Sequence, residues 1–276
     1  MTVGQRISFS FLSLTPLLTT AVVMARPLRV PGVYQSVGLV LCLAIVVAAG
    51  TLGLRGLRAT SQSLQQAALA GALWLGPFIL VSLLWVGIVT PWMATPPENL
   101  VRYLVLMAMA VLATAGSVTL AFALRDAGER VLSSLGAALA VLGGSGYLVW
   151  TALYAGYWVA RVHGDTSAVT ALRPLADALD VLLFADGSLT YAATAALAAA
   201  MGRVAWLGRW PTRVYVGLSI VLFVLLSMRG VSFPDPNGGT TPWYLNLGFV
   251  AGIPALPWVM PFLLGVVLLR RAGTER

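Results

Sequence analysis

The chain has 276 residues, of which 59% are hydrophobic and 9% charged, against about a quarter charged in soluble globular domains. Too little polar surface is present to cover a water-soluble particle of this size. All the basic residues are arginines, standing singly or in pairs between apolar stretches, so the net charge of +8 reads as membrane orientation and excludes a nucleic-acid-binding stripe.

Apolar stretches with almost no charge recur along the chain and predict transmembrane helices. The first runs over 7–25. Val23 and Ala25 suit the positions before a signal cleavage site, but Arg26 and Pro27 follow directly, and we read it as a retained span. The second covers 34–54, closed by Arg55 and Arg58; the third, 67–90, contains Pro77; the fourth covers 103–124. The fifth, 131–160, carries Gly136, Gly143, Gly144 and Gly146, which predict close approach of a neighbouring helix. A polar stretch from Arg161 to Arg173 follows, and Pro174 suits the first turn of the sixth span, 175–201. The seventh covers 214–231 and the eighth 243–269. The expectation is an all-α polytopic transmembrane helical bundle of about eight spans, forming one membrane domain.

Orientation follows from the arginines. With the N-terminus inside, eleven face the cytoplasm (6, 55, 58, 125, 130, 203, 209, 213, 270, 271 and 276) and six face outward (26, 29, 102, 161, 173 and 229). Both termini are thus expected to be cytoplasmic, in a cell membrane such as a bacterial inner membrane. Outer loops with Pro91-Trp92 and Pro242-Trp243-Tyr244 match an interfacial aromatic belt. Pro96-Pro97-Glu98-Asn99 and Pro234-Asp235-Pro236-Asn237 form a faint echo between two four-helix halves.

Missing residue types exclude several chemistries. Without lysine there is no retinal Schiff base. With one histidine, His163, and one cysteine, Cys42, a chain alone cannot form a bis-histidine haem, a disulfide or a conventional His/Cys zinc or copper site. Gly143-Gly144-Ser145-Gly146 has the GxSG form of rhomboid intramembrane proteases. The sole histidine lies 18 residues beyond Ser145, about 27 Å along the same helix, so no serine–histidine dyad forms. Asp177, Asp180 and Asp186 are similar to the Asp-rich patterns of magnesium-dependent diphosphate enzymes. A second acidic cluster is lacking. Neither a metal nor a cofactor is therefore expected, and His163 reads as a solvated loop residue.

One constellation remains. Asp186 lies 17 residues from Arg203, Arg229 16 from Arg213, and Tyr147 17 from Arg130. All three therefore lie about 25 Å above the inner edge. Gly252, Pro254, Pro257 and Pro261 crowd the eighth span at that level and should break it, freeing carbonyls. On the fifth span Tyr147, Trp150 and Tyr154 recur at helical spacing, with Asp180 and Asp186 opposite. Together these residues predict an outward-facing pocket for a small cation or polar lipid head, held by carboxylate charge and cation–π attraction. An ion pair between Asp186 and Arg229 is expected within it. The plainer reading is an interfacial belt of snorkelling charges and aromatics, with Asp186-Gly187-Ser188 as a turn. Three function classes fit: a carrier or binding protein for a small solute, ion or lipid; a structural or sensory subunit meeting a membrane partner; and a membrane enzyme acting on a lipid or isoprenoid.

Overall fold

The computed structural model describes residues 1–24, 31–58, 61–87, 94–232, 248, 250–252 and 256–274. Every regular element among them is helical. Nine α-helices follow one another: α1 Val3–Met24, α2 Pro31–Leu52, α3 Gln62–Gly87, α4 Pro96–Asp126, α5 Val131–His163, α6 Thr166–Leu172, α7 Ala176–Arg203, α8 Arg209–Ser232 and α9 Val259–Thr274. In apolar surroundings a helix pairs its own backbone groups, which is why long low-charge runs fold this way. Six helical segments are long and apolar enough to cross a membrane: Gln62–Leu80, Pro96–Asp126, Val131–His163, Ala178–Arg203, Arg209–Arg229 and Leu256–Thr274. Ser36–Leu52 is a shorter apolar helix. The all-α multi-pass architecture thus stands, with six such segments where the sequence predicts about eight spans.

Lipid-facing side chains agree with this character of the surface. Val40, Val47, Leu142, Val149, Val221 and Val224 are all exposed, an arrangement that water would penalise and a bilayer does not. The interior holds Trp74, Leu120, Leu124, Leu197, Met201 and Leu268 on α3, α4, α7 and α9. A second cluster joins Leu12, Ile45, Leu75, Phe78 and Phe262 on α1, α2, α3 and α9.

The expected glycine contacts are present. A methyl at Gly136 would lie 2.6 Å from Leu197 Cγ on α7, and one at Gly143 3.0 Å from the Asp186 carbonyl. Gly144 faces Thr114 of α4 instead. On the far side of the bundle α3 crosses α9 through Gly71 and Gly265, where an added methyl would lie 2.8 Å and 2.9 Å, respectively, from the opposite glycine's carbonyl oxygen.

Helix ends are set locally. At the start of α4, the Thr95 amide and hydroxyl donate to Glu98 Oε2 at 2.7 and 2.8 Å, with Pro96 in the first turn. Gly164 at φ 72° closes α5 in a left-handed cap. Between α4 and α5, Gly128 at φ 101° turns the chain, and Glu129 Oε1 accepts the amides of Val131 and Leu132 at 3.1 and 2.9 Å. Glu129 Oε2 also pairs with Arg203 at the end of α7, at 3.2 Å.

The two ends of the chain meet on one face. Gln5 Nε2 donates to the Gly273 carbonyl at 3.3 Å, and the Arg270 guanidinium lies 5.0 Å from the Phe9 ring centroid. Arg271 lies 4.8 Å from the Trp206 ring, in the α7–α8 connection.

Asp186-Gly187-Ser188, a turn in the plainer reading, lies within α7, which is continuous from Ala176 to Arg203. A central helical turn is satisfied by its own hydrogen bonds, whereas an open turn at this depth would not be. The eighth span does break: 250–252 and 256–258 are short 3-10 turns, and α9 opens only at Val259. Pro261 then falls in the first turn of α9, where its missing amide is not needed. Pro254 lies outside the described residues.

Two outcomes follow from this packing. Gly265→Leu should lower stability by about 1–3 kcal/mol through overpacking at the α3–α9 crossing, read as a lower melting temperature in detergent. For Glu129, the backbone amide of Leu132 and then Arg203 hold the carboxyl below its ordinary value of 4.5. Its stabilising contribution is therefore complete above that value and lost as pH falls through the lower folded one. Thermal melts should separate wild type from Glu129→Gln at neutral pH and bring them together in strong acid.

Candidate functional site

Tyr147, Trp150 and Tyr154 share one face of α5, as i, i+3 and i+7 spacing requires. Tyr147 and Trp150 are buried. Their rings do not enclose an open pocket; they pack on one another and on two aromatics from elsewhere. Tyr103 of α4 stacks on Tyr154 with centroids 4.9 Å apart, and Trp150 meets both edge-on at 5.4 and 5.5 Å. Tyr147 contacts Trp258, just before α9, at 4.9 Å. Among the described residues these side chains form a packed aromatic wedge, because offset and edge-to-face ring contacts hold them together. Asp180 of α7 joins the wedge by accepting the Tyr154 hydroxyl at 3.3 Å.

Asp186 is 2% exposed and points at α5. Its carboxylate lies against Gly146, so a methyl there would overlap it. Oδ2 is buried with no hydrogen-bond partner. Tyr147 is its polar neighbour in electrostatic reach, and Tyr147 in turn interacts with Tyr191. A buried carboxylate of this kind is costly, by about 2.5–3.5 kcal/mol at a helix centre on insertion scales.

Arg229 is buried too, at 5% exposure, but it does not meet Asp186. Its guanidinium sits 5.7 Å from the Phe184 ring centroid, and no ion pair joins it to the carboxylate. The reason is azimuth. Residues two apart on a helix point in roughly opposite directions. The face of α7 that meets α8 is built from Phe184, Gly187 and Tyr191: a methyl at Gly187 would lie 2.6 Å from Leu226. Asp186 faces away from that contact.

Several site residues have no counterpart among the sequence-based expectations. Below the wedge, a cavity of about 20 Å³ is lined by Trp74, Thr114, Ser117, Tyr147, Thr190 and Thr194, among others, room for about one water. Thr190 and Thr194 donate to the carbonyls of Asp186 and Thr190, both at 2.8 Å. Ser117 donates to the Ala113 carbonyl at 2.9 Å and accepts the Trp74 indole N–H at 3.2 Å. A hydroxyl that spends its proton on the preceding turn keeps lone pairs as acceptors. The cavity is therefore acceptor-rich, and Asp186 lies one turn, about 6 Å, from Thr190 along α7. Tyr191 deals with the broken span, donating its hydroxyl to the Ala251 carbonyl at 3.0 Å.

Among the described residues, no three His, Cys, Asp or Glu side chains are grouped as a metal site. His163 is exposed, with Nδ1 2.9 Å from the Val159 carbonyl. No protein-family model, curated protein or solved structure matches this chain.

The Gly146–Asp186 contact is testable as a cycle. Gly146→Ala should destabilise by about 1–3 kcal/mol. In an Asp186→Ala background the penalty should largely vanish, giving a coupling of about 0.5–3 kcal/mol in thermal or chemical unfolding.

Proposed function

We propose that this chain is a multi-pass membrane carrier or binder for a small monovalent cation, with Asp186 as the charged ligand. The observation that supports it is the carboxylate itself: buried inside a membrane helix, turned away from Arg229, and with Oδ2 unpartnered. A bound cation would supply the missing partner, and the hydroxyl-lined cavity one turn away offers neutral oxygen ligands or a water. Thr190 and Thr194 are the proposed neutral ligands, and Tyr147 the neighbour between cavity and carboxylate. The packed wedge of Trp150, Tyr154 and Tyr103, braced by Asp180, closes the site toward one membrane face. Arg229 serves in this reading as a fixed charge on the opposite face of α7.

The orientation belongs to the same reading. α1 and α2, at 22 residues each, are about 33 Å long and complete a count of eight spans with both termini on the arginine-rich face. The arginine count expected from the sequence, eleven on that face against six on the other, supports a cytoplasmic position for it.

A second reading, a structural or sensory subunit for a membrane partner, is favoured by the closed wedge and by α8, whose most apolar stretch is 11% buried. The two readings separate in proteoliposomes. Asp186→Asn should cut sodium, potassium or proton flux, or sodium or potassium binding, at least tenfold, with folding retained by size-exclusion and circular dichroism. Asp180→Asn should cut it less. Equal activity of wild type and Asp186→Asn, or none in either, would leave the carrier reading without support and favour the subunit.

A further inference from the structure

A groove of about 340 Å³ runs along the outside of the bundle between α5, α7 and α8. Its floor is built from Ala192 and Ala196 of α7, and its walls from Leu135 and Leu139 of α5 and Ile220 and Phe223 of α8. The floor is low because alanines leave the α7 backbone nearly bare, while the flanking leucines and phenylalanine stand above it. A lipid hydrocarbon chain fits such a lining in a bilayer.

The ends of the flanking helices add charge in register with the groove. On α7, Arg203 lies seven residues beyond Ala196 and eleven beyond Ala192. On α8, Arg213 and Arg209 lie seven and eleven residues before Ile220. Seven and eleven residues are close to two and three whole turns, so these arginines continue the same two stripes. Arg203, Arg209 and Arg213 are all exposed. Residues 204–208 connect the two helices tightly, so both stripes end at one membrane face. Arg203 gives Nη1 to Glu129 and keeps 62% of its side chain open. Each arginine is about 10–16 Å beyond the groove lining along its helix. That spacing separates the upper part of a lipid tail from its phosphate.

We propose that this groove holds one anionic phospholipid, with an acyl chain on the alanine floor and the phosphate on Arg203, Arg209 and Arg213. Charge complementarity selects the anionic class: guanidinium groups bind phosphate oxygens in pairs, and basic pockets between membrane helices favour anionic head groups. The inference uses the exterior of the α7–α8 pair and does not depend on Asp186 carrying a cation.

The test uses the full chain in nanodiscs of phosphatidylcholine containing a minor fraction of phosphatidylglycerol, with retained lipid counted by native mass spectrometry after detergent exchange. Wild type should keep one phosphatidylglycerol per chain, enriched at least tenfold over the bulk mixture. The exposed-residue variant Arg209→Gln/Arg213→Gln should lose most of that enrichment while its melting temperature changes little. Ala192→Leu, which raises the groove floor, should reduce retention of either lipid. Equal retention of phosphatidylcholine by wild type, or unchanged enrichment in the double arginine variant, would overturn the proposal. Should Ala192→Leu fail to fold, the double arginine variant by itself still separates the two outcomes.

Discussion

Inside hydrocarbon a polar group has no water to fall back on, and this single constraint organises the molecule. Backbone groups meet it by forming helices, so nine of them account for nearly all the described residues. Where the final span breaks, the rule is still obeyed: Tyr191 reaches from α7 to the Ala251 carbonyl at 3.0 Å. Side-chain hydroxyls obey it by folding back on their own helices, as Thr151 does on Tyr147 at 2.7 Å and Thr194 on Thr190 at 2.8 Å. Against that background Asp186 Oδ2 and the Trp150 indole N–H are exceptions, both buried without a hydrogen-bond partner. An exception to so costly a rule is where a binding function is best sought.

Small residues convert the constraint into packing. With no solvent-driven force between apolar helices in lipid, close van der Waals approach must hold the bundle together. Gly71 and Gly265 let α3 and α9 cross with each carbonyl almost touching the opposite backbone. Gly136 and Gly143 do the same for α5 against α7, while Gly144 admits Thr114 from α4. Three of the four expected glycines on α5 therefore meet α7 and one meets α4. The glycines of α5 define two faces rather than one, which is what lets α5 sit between two neighbours.

Axial information is legible in the sequence, and azimuthal information is largely not. Helix positions follow from run length, since about 20 apolar residues are needed to cross a core of about 30 Å. Heights follow from the rise per residue, and the break before α9 follows from its prolines. The direction in which a side chain points around its helix is decided by neighbours that only the folded bundle supplies. The aromatic stripe on α5 is visible as a stripe, yet nothing in the sequence says that Tyr103 and Trp258 close it. Thr114, Ser117, Thr190 and Thr194 do not stand out, because Thr and Ser are common in membrane helices and only convergence on one cavity distinguishes these. Their i, i+3 and i, i+4 spacing is the one signal available beforehand.

The separation of Asp186 from Arg229 shows what azimuth is worth. Opposite charges at one level on consecutive helices would have met had the α7 face toward α8 included position 186. That face carries Phe184, Gly187 and Tyr191 instead, fitted to Leu226 and to the Arg229 guanidinium. Asp186 is thereby turned to α5, where Gly146 offers no side chain and hence just enough room for a carboxylate. A larger residue at 146 would force the carboxylate out of this space, and a bulkier one at 187 would press on α8. The two glycines, on different helices and facing different partners, together hold the Asp186 carboxyl away from Arg229. A carboxyl kept apart in this way is left open to the mobile cation we propose, a role that a permanent ion pair would have taken up.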